Sequence, residues 1–343
     1  MTATSIPAPG QPAQFGNPSG PAKRPVSFYL EPSFGMLAFV AAVEPLRVAN
    51  RLSGRNLYSW QVVTRDGEPV RAANGMQQQA DAAIDQVKAT PLLLILGHHD
   101  PHHHRDPKVL NWLGELDRRG SILGGLDTGA YVLAQADLLT RRRCTVHWEN
   151  RAGMVESFPD LVISNRLFEI DGPRLTCAGG TAALDLMLYL IERQEGRDLA
   201  MAVSEMFMHG RLRDASVPQR LSLESRTGIR QPRVLDAIAL MEANIEQPLT
   251  VTEISDAIGI TKRQLERLFQ AYLKTTPSRY YMAARLNHGR QLMEQTALSI
   301  TEVALASGFV SPGHFSRCYR GRFGHPPRQT RHAPVDQAIE TAL

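Results

Sequence analysis

The stretch "GGLDTGAYVLA", Gly124 to Ala134, places a carboxylate where enzymes often build a nucleophile. An apolar run precedes it and a helical pattern follows. A sharp strand-to-helix turn exposes its central side chain and aims a helix N-terminus at it, which favours a thiolate or an alkoxide. The residue at this turn is Asp127. A carboxylate at a helix N-terminus is expected to be ionised at neutral pH. It accepts hydrogen bonds or faces a cation, and it is a poor nucleophile for acyl transfer. Its plainest role is to cap its own helix.

Three other stretches invite a chemical reading. Cys177 precedes Gly179 and Gly180 at a second strand-to-helix turn, but no acid–base partner stands near it in sequence. A buried structural thiol fits better. The "GGT" that follows is no phosphate loop, since no lysine comes after it. "HHDPHHH", His98 to His104, suggests metal ligands, yet it sits in a loop after a strand and lacks the fixed scaffold a metal needs. No metal site is expected, although one of these histidines could reach a pocket at the strand ends. "RRRC", Arg141 to Cys144, reads as a solvated turn.

The elements that position these residues alternate. "VSFYL" is a strand, and the apolar period from Met36 to Leu52 is a helix. "YSWQVVTRD" is a strand, and "PLLLILG" reads as a strand buried on both faces. A helix spans about Lys108 to Arg119, then "SILGGLD" leads into the helix from Thr128. "LFEIDGPRLTCAG" is a hairpin turning at Asp171-Gly172, and "TAALDLMLYLIERQ" is a helix. Such alternation predicts an α/β sandwich with a mainly parallel sheet, whose ligands bind at the carboxyl ends of the strands. Asp127 falls at such an end.

With 343 residues, 43% hydrophobic and 21% charged, the chain suits two soluble domains. No stretch approaches the roughly 18 apolar residues needed to span a bilayer, so no membrane partner is expected. Cys144, Cys177 and Cys318 are odd in number and far apart, which suits a reducing cytoplasm. Residues 1–24 are rich in Pro, Gly, Ser and Gln and read as a disordered tail; 333–343 read as a second tail. The net charge of +4 is uneven: from Arg213 onward there are 17 basic and 12 acidic residues, before it 21 and 22. Excess positive charge at the C-terminal end suggests a nucleic-acid partner. Residues 211–231 are polar and weakly patterned and read as a linker.

After the linker everything is helical, and an internal repeat stands out. Thr252, Glu253, Ile254, Ala257 and Gly259 match Thr301, Glu302, Val303, Ala306 and Gly308 at an offset of 49. Leu265, Arg267, Phe269 and Pro277 then match Phe315, Arg317, Tyr319 and Pro327 at an offset of 50. Each copy is a helix, a glycine turn and a second helix. Gly259 and Gly308 supply the positive φ, and Thr261 and Ser311 the N-caps. Leu265, Leu268, Phe269 and Tyr272 form one apolar face, as do Phe315, Cys318 and Tyr319. Thr261, Lys262, Arg263, Gln264 and Arg267 are then free for DNA in the first copy. Ser311, His314, Ser316, Arg317 and Arg320 serve in the second. This is the arrangement of helix-turn-helix recognition helices in the major groove. A long helix, about Ser278 to Glu294, separates the copies.

"ITEVALASGFVSPGHFSRCYRGRFGHPPRQTR" closely resembles the AraC-family DNA-binding domain, over about 232–332. Pro312 and Gly313 depart from its pattern at the start of a recognition helix; Pro is compatible with that position, so base preference is affected and not the fold. "GGLDTGAYVLAQADLL", "CTVHWEN" and "TCAGGTAALDLMLYLI" resemble the PfpI-like, class I glutamine amidotransferase-like fold, over 25–210. The resemblance implies a flavodoxin-like α/β sandwich joined to an all-α domain with two helix-turn-helix motifs. In enzymes of that fold the turn residue is a cysteine, with an acid near the first helix and a histidine. Here the cysteine position is Asp127, the acid position falls near Ala38, and His147 matches the histidine.

Without the thiol no catalytic residue is expected. The resemblance implies a cytoplasmic, dimeric transcription regulator, an activator, that binds promoter DNA. Its N-terminal domain senses a small-molecule effector of the quaternary-amine class, such as glycine betaine or carnitine. Asp127, Thr128, Tyr131, His147, Trp148 and Glu149 are the candidate ligand residues, with Tyr131 and Trp148 offering cation–π attraction. No cofactor is implied. The competing reading is an amidase-like hydrolase carrying a DNA-binding tail.

Overall fold

The computed structural model describes residues 23–102 and 104–330. The expected tails lie almost wholly outside them, as do Arg331 and His332 of the expected DNA-binding range. The chain divides into two units between Gln219 and Arg220.

The first unit begins with β1 (Arg24–Leu30), α1 (Met36–Ser53) and β2 (Tyr58–Thr64), followed by the short β3 (Val70–Arg71), β4 (Gln77–Gln78) and β5 (Ala82–Ala83). Next come β6 (Leu92–Leu96), α2 (Pro107–Arg118), β7 (Ile122–Leu126) and α3 (Gly129–Gln135). β8 (Arg143–Cys144), α4 (Arg151–Ser157) and β9 (Val162–Ile163) lead to the hairpin β10 (Phe168–Asp171) and β11 (Arg174–Cys177), and α5 (Ala182–Glu195) and α6 (Arg197–Met206) close the unit. The main sheet has the order β10-β11-β7-β6-β1-β2-β5, parallel except for β10 against β11. This is the expected α/β sandwich.

Strand side chains alternate between two cores, as a pleated sheet dictates. Leu92, Leu94 and Leu96 of β6 face α1, α5 and α6 in one core. Leu93 and Ile95 face α2 and α3 in the other. The unbroken apolar run of this strand follows from burial on both sides.

The β7–α3 turn is compressed against β6. A Cβ on Gly129 would lie 2.0 Å from the Ile95 carbonyl oxygen, and one on Gly97 would lie 2.7 Å from the Thr128 carbonyl. No side chain fits there, so glycine permits the helix start to rest on the end of the neighbouring strand.

The second unit holds α7 (Leu223–Thr227), α8 (Pro232–Ala243), α9 (Val251–Ala257), α10 (Lys262–Leu273), α11 (Pro277–Gln295), α12 (Ile300–Ala306), α13 (Pro312–Phe323) and α14 (Pro327–Thr330). Capping boxes start α9, α10 and α12 from Thr250, Thr261 and Ser299; each satisfies two backbone donors that the helix cannot. Gly259 and Gly308 hold φ of 70° and 75° at the turns, as expected.

The repeat extends further than the sequence pattern indicated. Buried Val234, Ala237 and Met241 of α8 stand 52 residues before buried Leu286, Gly289 and Met293 of α11. The repeating unit is therefore three helices, α8–α10 and α11–α13. The register shifts by three because the loop after α8 is longer than the loop after α11.

One expectation needs correction. Tyr272 is 50% exposed and takes no part in the apolar face of α10, which rests on Leu265 and Phe269 with Leu268 partly buried. Residues 211–231 span the boundary between the units and include the short helix α7, and both ends are packed. Leu212, Ala215 and Val217 pack on the core of the first unit, while Leu223 and Ile229 pack in that of the second. Too few apolar side chains, widely spaced, gave no periodic signal.

Gly129→Ala is expected to destabilise the first unit by at least about 3 kcal/mol, at the upper end of overpacking costs, while the second unit's melting transition stays in place. Calorimetry of the whole chain reads both; an unshifted first transition would contradict the close crossing.

Candidate functional site

Asp127 sits where β7 gives way to α3, at the carboxyl end of the sheet. Its φ is 57°, a left-handed conformation that a non-glycine residue adopts only at a cost. Its N–H donates to the Cys177 carbonyl at 2.9 Å, which ties the turn to the end of β11. Two glycines make room for the side chain. A Cβ on Gly179 would lie 2.6 Å from the Asp127 Cβ, and one on Gly35 would lie 2.9 Å from its Oδ2. The carboxylate is thus held between the N-termini of α1 and α5. Among the described residues it accepts no hydrogen bond, and it does not cap α3.

Burial raises the pKa of Asp127, and Glu149 adds to the rise; His147 and His99 oppose it. Burial thus opposes the charged form that a helix N-terminus would favour. A cationic or hydrogen-bond-donating ligand would favour the charged form.

The other candidates divide. The His147 and Trp148 rings lie 5.4 Å apart, and His147 Nδ1 is 3.8 Å from a Glu149 carboxylate oxygen. Trp148 is 39% exposed. Thr128 is buried beneath the turn. Tyr131 is a core residue: its ring is fully buried against Phe158 and His102, and its hydroxyl donates to the Asn150 carbonyl at 2.8 Å. The expected Tyr131 wall of a cation cage is therefore absent. The acid position near Ala38 is apolar, with Ala38 itself buried in the core.

Sequence reasoning missed the acid that stands close by. Glu31, at the end of β1, is 2% exposed and accepts the His98 N–H at 2.8 Å. His104 Nε2 lies 3.6 Å from its other oxygen, and the His98 and His104 rings stack at 4.9 Å. The histidine run is thus folded over a buried carboxylate, and its His99 N–H bonds the Ser33 carbonyl beside the Asp127 site. His103 lies outside the described residues. Among those described, no group of three His, Cys, Asp or Glu side chains is placed to hold a metal ion. Cys177 is fully buried and its thiol is pushed up to about 12, mainly by burial. Arg141 is exposed in a turn, as expected, while the half-buried Arg142 and Arg143 also pair with Asp171 and Glu169.

In the second unit Lys262, Arg263 and Arg267 of α10 and His314, Arg317 and Arg320 of α13 are exposed, and Ser316 is half-buried. None of the five lysines and arginines in that set makes an ion pair among the described residues, whereas Arg226 and Arg290 of the same unit do. Thr261 and Gln264 are engaged with each other in the α10 capping box, and Ser311 caps α13 through the His314 N–H. Two arginines that sequence reasoning passed over hold the turns of these motifs, Arg233 exposed and Arg285 half-buried. Arg233 donates to the Ile258 carbonyl at 2.6 Å, and Arg285 donates to the Ser307 carbonyl at 2.9 Å. Arg285 also reaches the Gly308 carbonyl at 2.5 Å and lies 4.3 Å over the Phe309 ring. Both occupy the same place in the three-helix repeat, so each turn is fixed by an arginine from the helix before it.

Burial pushes the Glu31 carboxyl up to about 7, against its ordinary 4.5; the His98 N–H lowers it and Asp106 raises it. The native state therefore holds this proton more tightly than the unfolded chain. That stability is present below about pH 4.5 and lost as pH rises through about 7. Relative to the parent protein, Glu31→Gln should gain up to roughly 3 kcal/mol between pH 5 and pH 8. Denaturant titrations across that range test this; a difference that does not change with pH would contradict it.

The profile of the DJ-1/PfpI family matches residues 35–193, and that of a helix-turn-helix domain matches 254–333. The chain is 48% identical over 304 residues to the HTH-type transcriptional regulator CdhR of Pseudomonas aeruginosa, covering 89% of this chain and 90% of that one. It is 44% identical over 333 residues to the HTH-type transcriptional regulator GbdR of the same species, covering 97% and 89%. A crystal structure of an AraC family transcriptional regulator from Pseudomonas putida aligns with 54% of this chain and 99% of its own, at 30% identity and a TM-score of 0.50. The chain belongs to the HTH-type transcriptional regulators that join a DJ-1/PfpI domain to an AraC-type helix-turn-helix domain.

Proposed function

We propose that residues 25–210 bind a small cationic metabolite of the quaternary-amine class, such as glycine betaine or carnitine, and leave it intact. In this reading the protein is a cytoplasmic, dimeric activator that binds promoter DNA through residues 232–332 and responds to that effector. The observation that carries the reading is the occupant of the elbow. A carboxylate free of hydrogen bonds among the described residues stands where acyl-transfer chemistry needs sulfur. Burial raises its pKa, and a cation beside it would lower it again. The His147–Trp148 pair supplies a partly exposed aromatic face beside it, while Glu149 adds negative charge. The neighbouring thiol, Cys177, is buried and protonated, which argues against a hydrolase. On the DNA side, the cations of α10 and α13, which make no ion pair among the described residues, suit phosphate and base contacts, together with His314, Ser316 and the cap residues Thr261, Gln264 and Ser311.

Calorimetric titration of the whole protein with glycine betaine and carnitine is expected to show binding of at least one. Asp127→Asn keeps the side-chain shape and should weaken it at least about tenfold, the loss of one screened charge–charge attraction. Binding of neither compound, or equal binding by the variant, would overturn the effector assignment. Amide hydrolysis that survives Asp127→Ala and disappears in Cys177→Ala would restore the enzyme reading.

Arg267→Ala and Arg317→Ala are expected to weaken binding to operator DNA selected from a random pool by about 1–3 kcal/mol each where the side chain reads a base. A phosphate contact would instead lower the salt slope by about one. Unchanged gel-shift affinity and unchanged salt slope in both variants would remove these residues from the interface.

A further inference from the structure

The last eleven residues of the first unit, His209 to Gln219, contain no helix and only one isolated bridge, Arg166 with Pro218. They are nonetheless fastened at both ends to the loops that form the Asp127 site.

At one end Arg213 grips Asp185, whose side chain is entirely buried in the first turn of α5, through contacts of 2.5–3.1 Å. His209 Nε2 lies 2.9 Å from the same carboxylate. Arg213 also donates to the Thr181 hydroxyl at 2.9 Å. Thr181 stands at the N-cap position of α5 directly after Gly179 and Gly180, and Gly179 is the glycine pressed against Asp127. At the other end the Gln219 amide lies 2.9 Å from the Thr145 hydroxyl, 3.0 Å from the Val146 carbonyl and 2.9 Å from the Arg166 carbonyl. Val146 immediately precedes His147. Between these ends Leu167 donates to the Ala215 carbonyl, and Ala178, next to Gly179, donates to the Leu167 carbonyl.

We propose that residues 209–219 are a strap that senses occupancy of the Asp127 site and carries it to the DNA-binding unit. The proposal rests on the reading of that site as the effector pocket. Both loops on which a ligand would act, 145–149 and 178–181, are hydrogen-bonded to the strap, and the strap ends one residue before the second unit. Only Leu212, Ala215 and Val217 tie it to the apolar core, each partly buried. Its attachment is therefore mainly polar and able to open locally without unfolding the sheet. An element with a docked and an open state, biased by one ligand, is what a coupled response requires. A ligand that orders the two loops favours the docked strap.

The test uses the full chain and two variants that remove strap contacts while preserving side-chain volume, Thr181→Val and Gln219→Leu. Without ligand, amide exchange of 211–219 and of both pocket loops should rise about tenfold in each variant. Exchange in β1 and β6 should stay at parent levels, which shows that the unit is folded. A strap that opens while the pocket loops keep their parent exchange overturns the proposal. With glycine betaine or carnitine at saturation, exchange of 211–219 in the parent protein should slow. The ligand-induced change in DNA affinity should shrink at least about fivefold in the variants that still bind the ligand. An undiminished response in both variants also overturns the strap. If neither compound binds the parent protein, the effector assignment fails, and the ligand-free exchange alone decides the strap.

Discussion

The Asp127 turn depends on how closely the start of α3 rests on the end of β6. Ile95, Gly97, Thr128 and Gly129 meet there with no space for a side chain between them. That contact fixes the elbow, and the elbow forces Asp127 into a left-handed backbone that aims its carboxylate at the N-termini of α1 and α5. Each later property of the site follows: the enclosure of the carboxylate, its nearness to His99 and His147, and the need for Gly35 and Gly179. A scaffold able to hold a strained nucleophile will hold any side chain at that position in the same way. Replacing sulfur with a carboxylate changes the chemistry and leaves the geometry.

Three enclosed carboxylates in the first unit meet the cost of burial differently. Asp185 is paired with Arg213 and hydrogen-bonded to His209, and becomes a structural anchor. Glu31 has one backbone donor and a histidine at 3.6 Å, and responds with a pKa near 7. Asp127 has no hydrogen-bond donor among the described residues, and its pKa is raised by burial. Asp127 is half-buried, and a carboxylate that meets its enclosure without donors is the least stable of these arrangements. It is also the one in which a ligand gains most by supplying what is missing. The contrast with Asp185, enclosed within the same unit, separates a carboxylate that holds the fold together from one that is left open.

The layout of the sheet was legible because period-two and period-3.6 patterns are local and repeated. The elbow was legible because strand, glycines and helix are consecutive. The helix-turn-helix copies were legible from their caps and turn glycines. What escaped was non-local or sparse. Glu31 lies nearly a hundred residues from Asp127 in sequence, and only the parallel pairing of β1 with β6 and β6 with β7 brings the strand ends together. Tyr131 seemed available because it is one helical turn from Asp127, yet one turn is enough to place it in the core between α3 and Phe158. The 209–219 segment carries three apolar residues and no period, so its attachment through Arg213 and Gln219 left no pattern to read.

The second unit solves a related problem twice. A turn between two short helices exposes carbonyls that neither helix can satisfy. In each copy an arginine from the preceding helix reaches those carbonyls, Arg233 at Ile258 and Arg285 at Ser307 and Gly308. Burial disfavours the Arg285 charge, so this contact is held by packing as well as by attraction. The preceding helix therefore belongs to the helix-turn-helix unit, since it is fastened to the turn from which α10 or α13 leaves. Because α11 follows α10 and also pins the turn before α13, one helix joins the two copies.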